Sequence, residues 1–319
     1  MKQSVKIVFM GTPEFAVESL ETLIQQDYDV RAVVTVPDKP SGRGRKIHVS
    51  PVKEAALKHN IPILQPIKLI DPNFIKELEY YKADIFVVVA FRILPEVVWS
   101  MPKLGTFNLH ASLLPQYRGA APINWAIING DKETGVSTFL LDKKIDTGKL
   151  IFQKKCSIES DDNFGSLYEK LKKLGAPVVL ETIEVLVNHK VSPQTQKEEK
   201  ILKPAPKILT KTKQINWKQE APKVHNLVRG LSPYPTAHTV FNMDGEKLDV
   251  KIAKTAIVED HQDNENIGKI ISDGKKYLRV YCRQGIIDIL EIQIPGKKNM
   301  PIKSFLAGFR GNLNSLSFE

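Results

Sequence analysis

The chain has 319 residues with 46 Lys and Arg against 36 Asp and Glu, a formal charge of +10, and only two cysteines. That length allows two folding units, each able to bury its own core, and two cysteines exclude a disulfide-stapled scaffold or a cysteine-rich metal site. The first apolar run, residues 5–10, is too short for a signal-peptide core, and no apolar stretch reaches the roughly 20 residues needed to span a membrane. A soluble, cytoplasmic protein is expected, with Cys156 and Cys282 as packed thiols of a reducing compartment.

The charge is unevenly divided. Residues 1–189 hold 24 Lys and Arg against 22 Asp and Glu, a net of +2, whereas residues 190–319 hold 22 against 14, a net of +8. A basic excess confined to one end suits a polyanionic partner there, because neutralised phosphates release counterions. A solvated basic surface that only aids solubility remains the alternative.

In chain order, apolar β-branched runs alternate with amphipathic patterns. Residues 5–10 read as a buried strand and 15–24 as a helix, with Thr12 as its cap and Pro13 in its first turn. Strands follow at 30–36, 83–90 and 106–110, and helices at 51–59 and 73–80. The all-apolar run 85–90 implies burial on both faces, as in a doubly wound, mostly parallel sheet. One early glycine, Gly11, is not the GxGxxG of a dinucleotide site. Strands at 135–141 and 150–158 flank the turn-rich stretch 142–148, and helices run on to His189. Residues 190–213, with seven lysines and three prolines, read as a linker. Beyond it, a helix near 224–229 and strands near 237–241, 248–257, 278–282 and 286–294 suggest a smaller C-terminal β-barrel, OB-like in kind. The expected organisation is thus a catalytic domain at 1–189, a lysine-rich linker at 190–207 and a barrel domain at 208–319.

On the strand 106–110, Asn108 and His110 point to one face at its carboxyl end, where open α/β sheets place their ligands. An amide and an imidazole side by side suit acyl transfer: Asn108 donates to a developing oxyanion, and His110, when protonated, adds a charged donor. Asp146, in the turn Lys144-Ile145-Asp146-Thr147-Gly148, is placed to orient the imidazole or help accept a proton. A satisfied polar pair and a good turn former are the plainer readings of the same residues. The loop that follows, Ser112-Leu113-Leu114-Pro115, is expected to set backbone groups and two exposed leucines beside them.

The segment NLHASLLPQYRGAAPINWAI with Asp146-Thr147-Gly148 resembles the signature of the folate-dependent formyltransferases. GTPEFA at the start, PDKPSGRGRKIHVSPVK at 37–53 and LSPYPTAH at 231–238 match tRNA-directed members of that family in order and spacing, so the likeness covers both expected domains. It implies a catalytic trio of Asn108, His110 and Asp146, and a folate-contacting loop at Ser112, Leu113, Leu114 and Pro115. It further implies 10-formyltetrahydrofolate as formyl donor, the α-amino group of methionyl initiator tRNA as acceptor, and no metal. The pliable, cationic loop Ser41-Gly42-Arg43-Gly44-Arg45-Lys46 corresponds to the family's acceptor-stem loop, with Arg43, Arg45 and Lys46 as tRNA contacts. The lysine-rich segment and basic C-terminal half would hold the acceptor arm by charge and shape, and the chain is expected to act as a monomer without a membrane partner.

Two departures stand out against the family pattern. The aromatic-glycine pair usual after the buried strand is absent from Ala90-Phe91-Arg92-Ile93-Leu94-Pro95, which is one residue shorter, and Lys149 places a cation after Asp-Thr-Gly. Two other functions fit parts of the sequence. A formyltransferase acting on a ribotide or sugar nucleotide would need a glycine-rich phosphate loop or lack the Arg43 loop, and a non-catalytic RNA-binding relative would be expected to lose one of the trio.

Overall fold

A computed structural model describes residues 5–41, 46–190, 192–197, 201–243, 245–262, 266–311 and 316–319. The chain divides into two compact units, neither contiguous in sequence: one of Met1–Gly119, Thr134–Ser157 and Tyr168–Pro204, the other of Ala120–Glu133, Ile158–Leu167 and Ala205–Glu319.

In the first half of the chain the elements are β1 (Lys6–Gly11), α1 (Glu14–Gln25), β2 (Asp29–Val34), the hairpin β3 (Lys39–Ser41) and β4 (Lys46–His48), α2 (Pro51–Lys58), β5 (Ile63–Leu64), α3 (Pro72–Tyr80), β6 (Ile85–Val89), α4 (Glu96–Trp99) and β7 (Thr106–His110). Then come α5 (Pro122–Ile128), β8 (Glu133–Leu140), β9 (Leu150–Ser157) and α6 (Phe164–Val187). The sheet runs β5-β2-β1-β6-β7-β8-β9, parallel from β5 to β7, with β8 antiparallel to β7. The chain builds outward from β1 to β5, then returns to lay β6 and β7 on the other side of β1. That reversal opens a crevice at the carboxyl ends of β1 and β6, the usual ligand position in doubly wound sheets.

Local chemistry explains the helix starts. Ser50 caps α2 by accepting from the Lys53 N–H at 3.1 Å, and Asp71 caps α3 by accepting from the Asn73 N–H at 2.9 Å. Thr12, expected to cap α1, does not: Pro13 is the N-cap, its carbonyl accepting from the Ala16 N–H at 2.9 Å, and the Thr12 hydroxyl is buried without a partner among the described residues. All five residues of β6 are buried, as an unbroken apolar run requires. On one face Val8, Met10, Ala32, Val34, Phe86 and Val88 pack with Phe74 and Leu78 of α3, following the two-residue strand period.

The second unit adds α7 (Thr210–Lys213), α8 (Ala221–Gly230), β10 (Ala237–Met243), β11 (Glu246–Gln262), β12 (Ile270–Ser272), β13 (Leu278–Tyr281), β14 (Gln284–Gln293), β15 (Met300–Pro301), α9 (Ile302–Gly308) and β16 (Ser317–Phe318). Its antiparallel sheet runs β12-β13-β14-β11-β10-β16. The two edges nearly meet: Lys269 bridges Ser317, and the Phe318 N–H donates to the Gly268 carbonyl at 2.8 Å. Register shifts along the β11–β14 ladder let the long strand bend into this nearly closed barrel. Trp217, Phe241, Val250, Ile252, Ile287 and Ile289 fill its core. Helices α5 and α8 pack closely: the Asn124 Nδ2 donates to the Gly230 carbonyl at 2.7 Å, and a Cβ on Gly230 would lie 2.7 Å from Ile128 Cγ1. Both expected architectures, the mostly parallel α/β sheet and the smaller barrel, are therefore present.

Candidate active site

Strand β7 carries Asn108 and His110 to the carboxyl edge of the sheet, between β6 and β8. His110 is 6% exposed, and its Nε2 donates to the Tyr117 carbonyl at 2.8 Å. A carbonyl oxygen only accepts, so this bond places a proton on Nε2 and turns Nδ1 away from Tyr117. Asn108 is half-buried, and its carboxamide has no hydrogen-bond partner among the described residues. A polar donor in that position, neither sealed nor spent, is available to a ligand.

Asp146 stands at φ +55° in the turn between β8 and β9. Its Oδ2 accepts from the Gly119 N–H at 2.9 Å. Among the described residues no hydrogen bond joins Asp146 to His110; each is anchored to a different part of the loop 117–119. The turn is built around Asp142, whose Oδ1 accepts from the Lys144 N–H at 3.0 Å and the Thr147 hydroxyl at 2.8 Å. Gly148 is dictated by close approach, since a Cβ there would fall 1.6 Å from the Leu140 carbonyl oxygen. Lys149 is exposed and forms no ion pair with Asp146 among the described residues.

The loop Ser112-Leu113-Leu114-Pro115 differs from its expected form. Ser112 is fully buried and its hydroxyl donates to the Gln116 carbonyl at 2.7 Å. Ser137 of β8 donates to the Ser112 carbonyl at 2.6 Å and accepts from the Leu114 N–H at 3.1 Å, while Gln153 of β9 donates to the Leu114 carbonyl at 2.8 Å. Leu114 is 3% exposed and Leu113 half-buried, so the two leucines are not the exposed pair anticipated. Gly135 is required by two close approaches: a Cβ on it would run into the Lys154 carbonyl oxygen of β9 and would lie 2.6 Å from Leu113 Cδ2. Pro115, in a cis peptide with Leu114, is also buried. With so many of its polar groups committed internally, the loop offers a ligand chiefly apolar surface at Leu113.

Where the family's glycine is missing, Ala90 itself adopts φ +48°. The Arg92 guanidinium folds over the Phe91 ring at 5.3 Å and donates to the Pro66 carbonyl at 2.8 Å and the Ile67 carbonyl at 3.1 Å. Burial pushes the Arg92 pKa down, and its Nε is enclosed without a partner among the described residues. Beside the Asp146 turn lies an open cavity of about 760 Å³ lined by Arg118, Asp142, Lys143, Lys144, Thr147, Gln196 and Lys197, among others. Its four cations against one carboxylate make it a local anion attractor. Of the expected tRNA contacts, Arg43 and Arg45 lie outside the described residues; Lys46 begins β4, and only its backbone pairing with Ser41 is described. Among the described residues no group of three His, Cys, Asp or Glu is placed to hold a metal, and no helix is long and apolar enough to cross a membrane.

An amide donor left free beside a buried imidazole, at the carboxyl edge of a doubly wound sheet and followed by a barrel, is the arrangement that a formyl transferase model matches over residues 5–183 and a formyl transferase C-terminal domain model over 207–310. The chain belongs to the formyl transferase family. It is 50% identical over 314 residues to the methionyl-tRNA formyltransferase of Bacteroides thetaiotaomicron, covering 97% of each, and 47% identical over 306 residues to that of Flavobacterium johnsoniae, covering 96% of each. Among solved structures, the fold resembles an N-formyltransferase from Helicobacter canadensis at TM-score 0.65 and 21% identity, over 89% of this chain and 98% of that one. It also resembles HypX from Aquifex aeolicus at TM-score 0.63 and 17% identity, covering 97% of this chain but only 49% of HypX.

Proposed function

We propose that this chain transfers the formyl group of 10-formyltetrahydrofolate to the α-amino group of methionyl initiator tRNA, acting as a cytoplasmic monomer. The neutral amine attacks the formyl carbon, and negative charge gathers on the formyl oxygen. Asn108 donates to that oxyanion through a carboxamide that needs no prior partner to be broken; this free donor is the observation that carries the reading. The amine's proton leaves by His110 Nδ1 or by a water held at Asp146, whose Oδ2 is fixed by Gly119. The carbon–nitrogen bond to the folate then breaks, its nitrogen taking the proton, to give N-formylmethionyl-tRNA and tetrahydrofolate.

The loop of Ser112, Leu113, Leu114 and Pro115 meets the donor through apolar contact rather than through its own polar groups. Arg43, Arg45 and Lys46 hold acceptor-stem phosphates, and the cations around the cavity at Arg118 and Lys144 favour the same polyanion. Incubation with 10-formyltetrahydrofolate and methionyl initiator tRNA should yield N-formylmethionine; no product, alongside turnover of a sugar nucleotide, would overturn the assignment of the acceptor. Arg43→Ala should raise the tRNA concentration needed for half-maximal rate and leave that for folate unchanged.

A further inference from the structure

Beyond α6 the lysine-rich segment returns to the Asp146 turn. Gln194 and Leu150 exchange two backbone hydrogen bonds at 2.7 and 2.8 Å. Two residues on, Gln196 is 6% exposed, the one buried residue of 192–197. Its carboxamide is fully used. Nε2 donates to the Asp146 carbonyl and to the Gly148 carbonyl, each at 2.9 Å, while Oε1 accepts from the Arg118 guanidinium through Nε at 3.1 Å and a terminal nitrogen. One side chain thus grips the residues on both sides of Thr147 and ties them to the loop that carries Tyr117 and Gly119. Further along, the Lys203 carbonyl accepts from the Tyr117 N–H at 2.7 Å, and Tyr117 in turn receives the His110 Nε2 bond.

Only a primary amide fills this position. A carboxylate of the same shape would keep the Arg118 contact but turn oxygens toward two carbonyls with no proton between them. Asp146 also occupies the left-handed backbone region, which a non-glycine residue keeps only where its surroundings hold it.

We propose that Gln196 is a positioning residue for formyl transfer: by clamping the Asp146 and Gly148 carbonyls to Arg118 it sets where the Asp146 carboxylate stands relative to the reacting amine. The proposal rests on the reading of Asp146 as part of the catalytic trio. It places a determinant of turnover in a segment whose composition suggests only a tether.

Steady-state kinetics of the full chain with 10-formyltetrahydrofolate and methionyl initiator tRNA test it with Gln196→Met, which keeps the volume and deletes the bonds, and Gln196→Glu, which keeps only the acceptor. Both should lower kcat by about 10- to 100-fold, the scale of a misplaced catalytic group, with both KM values within about threefold of the parent. In an Asp146→Asn background, Gln196→Met should cost little more, because the clamp then has no carboxylate to place. Parental kcat in both Gln196 variants while Asp146→Asn falls to a low but measurable kcat overturns the clamp alone, as does a full additive loss in the double variant. An active Asp146→Asn overturns the trio and the clamp together. If neither Gln196 variant is folded by circular dichroism, Gln196 serves stability and the proposal fails.

Discussion

His110 donates from Nε2 to the carbonyl oxygen of Tyr117 at 2.8 Å, and Tyr117 holds that carbonyl in place from a left-handed backbone at φ +61°. The imidazole is therefore oriented by a main-chain group, which leaves Nδ1 as the nitrogen not engaged by Tyr117. Replacing His110 by Ala should lower kcat by about 10²- to 10⁴-fold, the usual contribution of a positioned acid or base. Binding of methionyl initiator tRNA, followed by filter retention, should be unchanged; a parallel loss of binding would assign His110 a structural part instead.

Gly148 and Gly308 make a contrasting pair. A Cβ on Gly148 would sit 1.6 Å from the Leu140 carbonyl oxygen, whereas one on Gly308 meets nothing within 4 Å. Gly148→Ala should cost at least about 1–3 kcal/mol in urea unfolding, the range of overpacked sites, and should displace the Asp146 turn enough to remove activity. Gly308→Ala should stay within about 0.5 kcal/mol of the parent.

Much of this arrangement is legible in the sequence, and the illegible parts share a physical cause. The apolar run of β6 announces itself, because burial on two faces leaves a direct mark on residue type, and the two-residue period of β7 puts Asn108 and His110 on one face. The hairpin of β3 and β4 leaves none: it is three residues a side, Lys-Pro-Ser against Lys-Ile-His, too short for a periodic pattern to show. The anchors of the site are hidden for another reason. Tyr117 holds His110 through a backbone oxygen, which every residue has, and Gln196 is an ordinary amide in a lysine-rich stretch. One close approach does leave a signal, a glycine at 135 inside a run of strand formers, where a Cβ would run into the Lys154 carbonyl oxygen and the Leu113 side chain.

His225 on α8 should make the barrel unit sensitive to mild acid. Its Nδ1 bonds to the Thr255 hydroxyl at 3.0 Å, and burial, with the Arg229 charge adding to it, holds its pKa below the ordinary 6.5. The unfolded chain therefore takes up the proton first. Stability is unaffected above that ordinary value and falls as pH drops below it. The melting temperature of the parent should decline between pH 7.5 and 5.5 more than that of His225→Gln; equal slopes would remove His225 as a source.

The two thiols should differ in reactivity. Cys282 is fully buried in the barrel core, and burial pushes its pKa up to about 12, while Cys156 is only half-buried. Iodoacetamide at pH 8 should label Cys156 and spare Cys282 until denaturant is added. Mass spectrometry of the peptides reads this directly, and labelling of Cys282 at a similar rate would contradict its burial.

The two cores are interlaced along the chain, which passes between them after Gly119, Glu133, Ser157, Leu167 and Pro204. Helix α5 follows directly on the loop 111–121 yet finds its partner in α8, about a hundred residues later. A barrel transplanted between relatives at residue 207 would leave α5 and residues 158–167 behind, facing a foreign α8. Chimeras should fold only when these two inserts travel with the barrel. Inheritance of the barrel is thereby coupled to the stretch of chain that begins one residue beyond the loop anchoring His110 and Asp146.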